Sequence, residues 1–202
     1  IFSCTPERIS REGRCAQEIL SELASQAYRR PVNDADIETL MEFFRIGREA
    51  KGTFDGGIQM GVRRILMSPD FLFRLEKDPE DAMPDEIFTL SDLELASRLS
   101  FFLWSSVPDD ELIQLASRNR LSDPDILEDQ VTRMLADERS RALVDNFAGQ
   151  WLHLRNLDSV NPDGLVYPNF DENLRQAFLL ETSQFFNSIM AEDRPVTELL
   201  TA

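Results

Sequence analysis

The sequence predicts an all-α protein of two packed helical modules, with about nine to ten helices and no significant sheet. Apolar residues recur every three or four positions through most of the chain, which is the period of an amphipathic helix. No segment alternates cleanly between apolar and polar side chains, and the strand-favouring residues Val and Thr are sparse. No internal repeat of about 20–50 residues is visible, so a solenoid is not expected.

The first module is predicted to span residues 1–77, and its first helix follows an irregular lead-in. Apolar spacing predicts that helix from Arg14 to Tyr28. The helix should end before Pro31, because the residue that precedes a proline avoids the helical region. A second helix should follow Asn33, whose side chain can cap its first turn.

Two further helices complete the first module. The third is predicted from Phe54 to Met67, where Gly57 and Gly61 lie four residues apart and would let another helix approach closely. The fourth should begin with Ser68 as its cap and Pro69 in its first turn, a position that suits proline.

An acidic linker is predicted at 78–90, where the run from Asp78 to Ile87 contains two prolines and five acidic residues. The net charge of −16 is uneven, because 1–77 carries twelve basic and twelve acidic side chains whereas 78–202 carries nine and twenty-five. Such a surface repels phosphate, so we expect no nucleic-acid partner. No apolar run approaches the roughly 20 residues of a membrane span.

The second module is predicted over 91–202, around the most apolar stretch of the chain, LELASRLSFFLW, from Leu93 to Trp104. Ser91 and Glu94 have the spacing of a capping box at its start. The second half of this stretch is apolar nearly all round, so the helix should be buried. The inward face is expected to hold Leu95, Leu99 and Phe102, and Ala96 and Leu103 are expected to widen it.

The remainder of the second module is also predicted to be helical. Its helices are expected to begin near Pro108, Ser122, Glu138, Phe170 and Pro195. The longest loop is expected at 157–168. The aromatic side chains of this module are interpreted as core.

Cys4 and Cys15 are the two cysteines, and their spacing fits neither a zinc knuckle nor a CxxC redox pair. Three alternatives are open. A disulfide would tie the lead-in to the first helix in an exported protein, and we favour this alternative. The two residues could instead be unrelated buried thiols, or Cys15 could be a reactive thiol at a helix N-terminus.

His153 is the single histidine, which excludes several kinds of site. Two-histidine metal sites and paired Glu-x-x-His di-iron sites need more histidines, and CxxCH haem attachment needs a motif that the sequence lacks. A Ser-His-Asp triad could use only His153, which has no nucleophile elbow nearby. We therefore predict no catalytic, cofactor-binding or metal-binding residue, and interpret His153 as a structural or surface residue.

Arg98 and Glu181 are charged residues that stand among apolar neighbours in predicted helices. Buried ions are usually paired, because an isolated charge is costly to remove from water. We expect Arg98 and Glu181 to be members of buried ionic pairs.

Several motifs together resemble a known pair of domains. CAQEILSELASQAYRRPV and GIQMGVRRILMSPDFLFRLE are similar to one planctomycete-type, cytochrome-associated domain of unknown function. LSDLELASRLSFFLWSSVPDDELIQLA and NFAGQWLHLRNL are similar to the adjoining domain of the same proteins. The resemblance covers nearly all of the chain.

The resemblance implies a large, exported, multidomain protein, periplasmic or otherwise outside the cytoplasm, that carries a c-type cytochrome-like module elsewhere. Any c-type haem would then lie outside this sequence. The chemistry of such proteins is not established, so no catalytic residue is carried over. The second domain is expected to be incomplete, and a chain that begins with Ile1 is expected to be a processed product or a fragment. The cysteine pair fits an oxidising compartment.

Three functions are compatible with these observations. The first is a helical scaffold or docking module, whose partners are other domains of the same polypeptide and a basic electron-transfer protein steered by the acidic surface. The second is part of an oxidoreductase or hydrolase whose site is completed by missing domains. The third is a structural component of the cell envelope or extracellular matrix.

Overall fold

The computed structural model of the chain describes residues 2–74, 76, 83 and 87–201. These residues form helices joined by turns and short loops, and none of them lies in a strand. The predicted all-α class is therefore confirmed. Within the same stretches, no helix combines the length and the apolar character needed to cross a membrane.

The chain divides into two compact units. Unit 1 comprises Ile1–Leu99 and Val107–Ile126, and unit 2 comprises Ser100–Ser106 and Leu127–Ala202. Most of the linker predicted at 78–90 lies outside the described residues.

The core of unit 1 is formed by three long helices, α1 (Ile9–Tyr28), α2 (Asp34–Lys51) and α3 (Phe54–Leu66). The Asn33 cap is confirmed, because its side chain accepts a hydrogen bond from the Asp36 amide. Helix α1 begins earlier than predicted, and its extra turn is held to α2 by Glu12, whose carboxylate lies 2.8 Å from Arg48 Nε. The largest buried apolar side chains of this core are Ile19, Leu20, Leu40, Phe44, Ile58 and Ile65.

Helix α3 packs closely against α1 and α2 because it presents glycines at the contact. A Cβ atom added to Gly57 would lie 2.5 Å from the Phe44 ring, and one added to Gly61 would lie 2.6 Å from Leu20. These distances are too short for any side chain, so the close approach predicted from the glycine spacing is confirmed.

Four more helices follow, α4 (Pro69–Leu72), α5 (Asp92–Trp104), α6 (Asp110–Ser117) and α7 (Pro124–Ala136). Asp92 is buried at the start of α5, and its carboxylate accepts hydrogen bonds of 2.6 and 3.3 Å from the amides of Leu121 and Ser122. A buried carboxylate needs such donors, and here they hold the turn that precedes α7.

Helix α5 buries only part of the face predicted for it. Ala96 and Leu103 are buried as expected, together with Asp92, Ser100 and Trp104, whereas Phe102 is 54% exposed. The apolar residues of its second half lie on all sides of the helix, so their spacing does not show which face is buried. The indole N–H of Trp104 fixes the buried face, because it donates a 2.9 Å hydrogen bond to the buried Met134 carbonyl.

The region predicted as one helix from residue 138 onward consists of four short elements in unit 2. A 3₁₀ turn (Glu138–Ser140) leads to a π-helix (Leu143–Ala148), then α8 (Gly149–Trp151) and a second 3₁₀ segment (Leu154–Ser159). The long helix α9 (Glu172–Ala191) and the short α10 (Glu198–Thr201) follow.

Candidate functional site

Three exposed aromatic side chains form a continuous surface in unit 2, here called the aromatic patch: Phe102, Phe147 and Trp151. Their side chains are 54%, 44% and 53% exposed. The Phe102 and Phe147 rings meet edge to face with centroids 5.9 Å apart, and the Phe147 and Trp151 rings stack at 5.8 Å. Large apolar side chains that touch one another in solvent commonly mark an interaction surface.

A strip of polar side chains accompanies the patch in sequence and in space. Asn146 donates a 2.8 Å hydrogen bond to the Ser105 hydroxyl and accepts one of 3.1 Å from Arg155. Ser105 directly follows α5, which carries Phe102, and Asn146 directly precedes Phe147. Unit 2 thus presents aromatic rings beside an amide and a guanidinium, which are groups that suit protein recognition.

Local backbone geometry places the patch residues. Phe147 belongs to the π-helix, a conformation that occurs frequently at functional sites. Trp151 follows four residues later, so the wide turn and the start of α8 bring the two rings into contact. Phe102 lies on α5. The hydrogen bond from Trp104 to the Met134 carbonyl fixes which face of that helix is buried.

Trp104 is itself held by two guanidinium groups. The Arg139 Cζ lies 3.5 Å from the ring centroid and the Arg133 Cζ lies 5.6 Å from it. Arg139 is fixed in turn by Asp137, at 2.7 Å, and the hydrogen bonds from the Arg139 side chain and amide lower the pKa of the Asp137 carboxyl to about 2. The carboxylate therefore stays ionised at neutral pH and keeps Arg139 against the indole.

Unit 1 contains a second feature, here called the arginine cleft. It has a volume of about 730 Å³ and lies between the end of α1, the segment after α4 and the first turns of α5. Four arginines line it: Arg29, Arg30, Arg74 and Arg98. Three of the motifs that carried the family resemblance, RRPV, SPDFLFR and LASRLSFFLW, therefore contribute to one cavity.

Arg29 and Arg30 connect the helices around this cleft. Arg29 is buried and donates hydrogen bonds to the carbonyl oxygens of Ala27, Asp70 and Phe73. Arg30 binds the Asp36 carboxylate through two hydrogen bonds of 2.6 and 3.2 Å and reaches the Asp70 carboxylate at 2.8 Å.

These contacts shift the pKa values of the groups that make them, and the hydrogen bond to Asp36 raises the pKa of Arg30. The hydrogen bonds from Arg30 lower the pKa of the Asp36 carboxyl. Burial lowers the pKa of the Arg29 guanidinium, and the nearby charge of Arg74 lowers it further.

The two cysteines form a disulfide. Cys4 and Cys15 are bonded, with their Cα atoms 5.9 Å apart, so the disulfide is confirmed and neither residue is a free thiol. The bridge joins the lead-in to the second turn of α1.

Arg98 and Glu181 are both exposed, in contrast to the burial expected for them. Arg98 pairs with Glu76 through hydrogen bonds of 3.1 and 2.6 Å. Its apolar neighbours in sequence are distributed around α5, so they do not enclose it.

His153 is exposed and adopts a positive φ of 56°. Among the described residues, no group of three or more His, Cys, Asp or Glu side chains is placed to hold a metal ion.

The sequence prediction missed the aromatic patch, because it assigned aromatic side chains to the core. The pattern of α5 gives no signal for the patch, because a helix that is apolar on nearly all sides is normally buried. Only the packing in space leaves Phe102 exposed.

Comparison with known protein families identifies both parts of the chain. The model of PSD4, a protein of unknown function (DUF1592), matches residues 90–202, which is more than half of the chain. The chain belongs to this family. A second model, PSD5, also a protein of unknown function (DUF1595), matches residues 15–76. The sequence matched no curated protein, and it matched no solved structure.

The two features described above are distributed differently between these domains. The aromatic patch lies wholly within the DUF1592 domain. The arginine cleft is lined by residues of the DUF1595 domain and by the first helix of the DUF1592 domain. The predicted pair of adjoining domains of unknown function is thereby confirmed.

Proposed function

We propose that this DUF1592 protein is a helical docking module, and that its aromatic patch binds a basic electron-transfer protein. The observation that carries the proposal is the exposure of Phe102, Phe147 and Trp151 as one surface on a strongly acidic unit.

The patch has the composition of a protein-binding surface. Aromatic side chains, tryptophan above all, dominate the binding energy of many interfaces because they bury a large area at a small cost in conformational entropy. The backbone of Phe147 and Trp151 lies in a π-helix and a helical turn, so little backbone ordering is needed on binding. The adjacent Arg155 and Asn146 can supply polar contacts at its edge.

The charge of unit 2 favours a basic partner. Its sequence contains thirteen acidic residues and six arginines, which gives a net charge of −7. A basic protein is attracted to such a surface, and its association rate is increased by electrostatic steering. A partner with an apolar area at the centre of a basic surface would match both the aromatic rings of the patch and the negative charge of unit 2.

The family resemblance supplies the context of this proposal. The chain would belong to a large, exported, planctomycete-type protein that carries a c-type haem on another domain. The confirmed disulfide supports an oxidising compartment, because such bonds are rare in the cytosol. The other domains of the same polypeptide would bind the helical units as a scaffold, while the patch receives the electron-transfer partner.

A binding measurement tests the docking proposal. A basic c-type cytochrome serves as the probe, and titration calorimetry gives its affinity for the chain and for the variants F102A and W151A. Each variant should weaken binding at least about tenfold, because each removes one of the large rings. The matched control is Y167A, which removes a 60% exposed ring of unit 2 outside the patch and should leave the affinity unchanged.

Two further measurements separate this proposal from general attraction between opposite charges. Raising the salt concentration from about 50 to about 300 mM should weaken binding, since exposed charges are screened. Lysozyme, a basic protein without haem, should bind more weakly than the cytochrome. Equal losses for W151A and Y167A, or equal affinities for the two basic proteins, would contradict the proposal.

A further inference from the structure

We propose that the aromatic patch receives the exposed haem edge of its electron-transfer partner, and that Arg155 binds a haem propionate there. The inference rests on the docking function proposed above, and it names the group of the partner that the patch contacts. One juxtaposition in unit 2 supports it. Three exposed aromatic rings lie beside a guanidinium that has no carboxylate partner in the described part of the chain.

Arg155 lies at the edge of the patch. Its Nη2 donates a 3.1 Å hydrogen bond to the side-chain oxygen of Asn146, and Asn146 directly precedes Phe147. Arg155 also follows Trp151 by four residues in the chain. The Asn146 amide is held on its other side, because its nitrogen donates a 2.8 Å hydrogen bond to the Ser105 hydroxyl. The guanidinium is therefore placed beside the rings by an amide that is itself hydrogen-bonded.

No ion pair neutralises the charge of Arg155 within the part of unit 2 that the structure describes. Its hydrogen-bond acceptor there is the amide oxygen of Asn146, which is neutral. Asp145 and Asp158 are close to it in sequence, but neither carboxylate lies within 4 Å of the guanidinium. Three other arginines of the unit do pair with carboxylates: Arg139, Arg175 and Arg194. Arg155 can therefore offer charged N–H donors to both oxygens of an incoming carboxylate.

An exposed haem edge combines the two kinds of group that this surface can bind. The macrocycle is flat and apolar, so it can pack against the aromatic rings of the patch. The same haem carries two propionates, whose carboxylates suit a guanidinium. The basic residues around the haem edge would face the acidic side chains of unit 2, while the negatively charged propionate would meet Arg155. A basic protein without haem lacks this combination of a flat apolar surface and carboxylates.

A short haem peptide, prepared by proteolysis of a c-type cytochrome and acetylated, tests the contact directly because its haem and both propionates are exposed. Its propionates are negative, so attraction to the acidic unit does not explain binding. The affinity of the whole chain is measured from the change in haem absorbance on titration. W151A should weaken binding about tenfold, and R155Q about fivefold, because a ring and a charged hydrogen-bond donor are lost. With the propionates esterified, the peptide should bind R155Q and the wild type equally.

The intact basic cytochrome provides a second measurement, in which the sign of the effect is decisive. Removal of a positive charge from an acidic unit should strengthen the binding of a basic protein. The matched control R141Q, which removes an exposed arginine of unit 2 with no described contact to the patch, should therefore tighten cytochrome binding by up to about twofold. R155Q should instead weaken it about fivefold, because it removes the partner of the propionate.

The inference is overturned if R155Q tightens cytochrome binding as R141Q does. It is also overturned if R155Q binds the esterified peptide more weakly than the wild type does, because damage to the fold would then explain the loss. F102A and W151A would still weaken cytochrome binding in either case if the docking proposal holds, so the two proposals can fail separately.

Discussion

The guanidinium of Arg139 lies over the indole of Trp104, with its Cζ 3.5 Å from the ring centroid. On the edge of the same ring, the indole N–H donates to the Met134 carbonyl at 2.9 Å. Trp104 is therefore held both by its face and by its edge. Because Phe102 lies two residues earlier on α5, this anchoring also decides that Phe102 points to solvent.

Replacement of Trp104 by Phe tests this anchor. The variant W104F keeps an aromatic ring but leaves the buried Met134 carbonyl without its donor, so unfolding should require about 1–3 kcal/mol less free energy. Urea denaturation followed by circular dichroism measures the change. The matched control is W151F on the exposed patch, which should alter stability by less than about 0.5 kcal/mol. Similar losses for the two variants would show that the anchor is unimportant.

The ion pair of Asp36 with Arg30 makes stability depend on pH. The Arg30 hydrogen bonds lower the pKa of Asp36 in the folded protein, so its contribution is present above the unfolded pKa and lost as the pH falls through the folded value. D36N should cost about 1–2 kcal/mol near neutral pH, and the difference from the wild type should shrink in strong acid.

Urea denaturation across the acid range checks this pH dependence. D34N, which alters another acidic residue in the first turn of α2, is the control. If D36N and the wild type differ by the same amount at all pH values, the ion pair does not contribute in the way expected.

Gly61 should not tolerate a side chain. In G61A the new Cβ would lie 2.6 Å from Leu20 in the tightly packed core of unit 1, and overpacking of this kind costs about 1–3 kcal/mol. G13A is the control, because nothing lies within 4 Å of a Cβ at that position in α1. Alanine favours the helix there by up to about 1 kcal/mol. Thermal unfolding should therefore shift downward for G61A and upward for G13A, and shifts of the same sign would contradict this account.

Loss of the disulfide should destabilise unit 1. The variant C4S/C15S removes a bond between residues eleven positions apart, and the expected cost is about 3 kcal/mol. Denaturation with and without reductant measures this effect. Reductant should lower the stability of the wild type and leave C4S/C15S unchanged, and a wild type that is insensitive to full reduction would oppose the prediction.

The features predicted correctly depend on residues that are close in sequence. Asn33 caps α2 because its side chain reaches an amide three residues away. Gly57 and Gly61 allow close packing because their spacing places them on one helical face. The disulfide joins two cysteines only eleven positions apart, so it closes a short loop between the lead-in and the first helix.

The features that were missed depend on residues far apart in sequence. The pattern of α5 is apolar on all sides, so it indicates a helix but not the face that is buried. Arg98 has apolar neighbours in sequence, yet its partner is Glu76, twenty-two positions away, and the pair is exposed. The division of the region after residue 138 into a π-helix and short turns could not be predicted from periodicity either.

The sequence by itself determined that this protein is helical, where most of its helices lie, that its charge is strongly acidic and which cysteines could pair. These properties follow from local spacing and composition. The tertiary structure alone decided that Phe102, Phe147 and Trp151 meet in solvent and that four arginines line one cleft. The reason is that a side chain's exposure depends on what packs against it, and its neighbours in space come from distant parts of the chain.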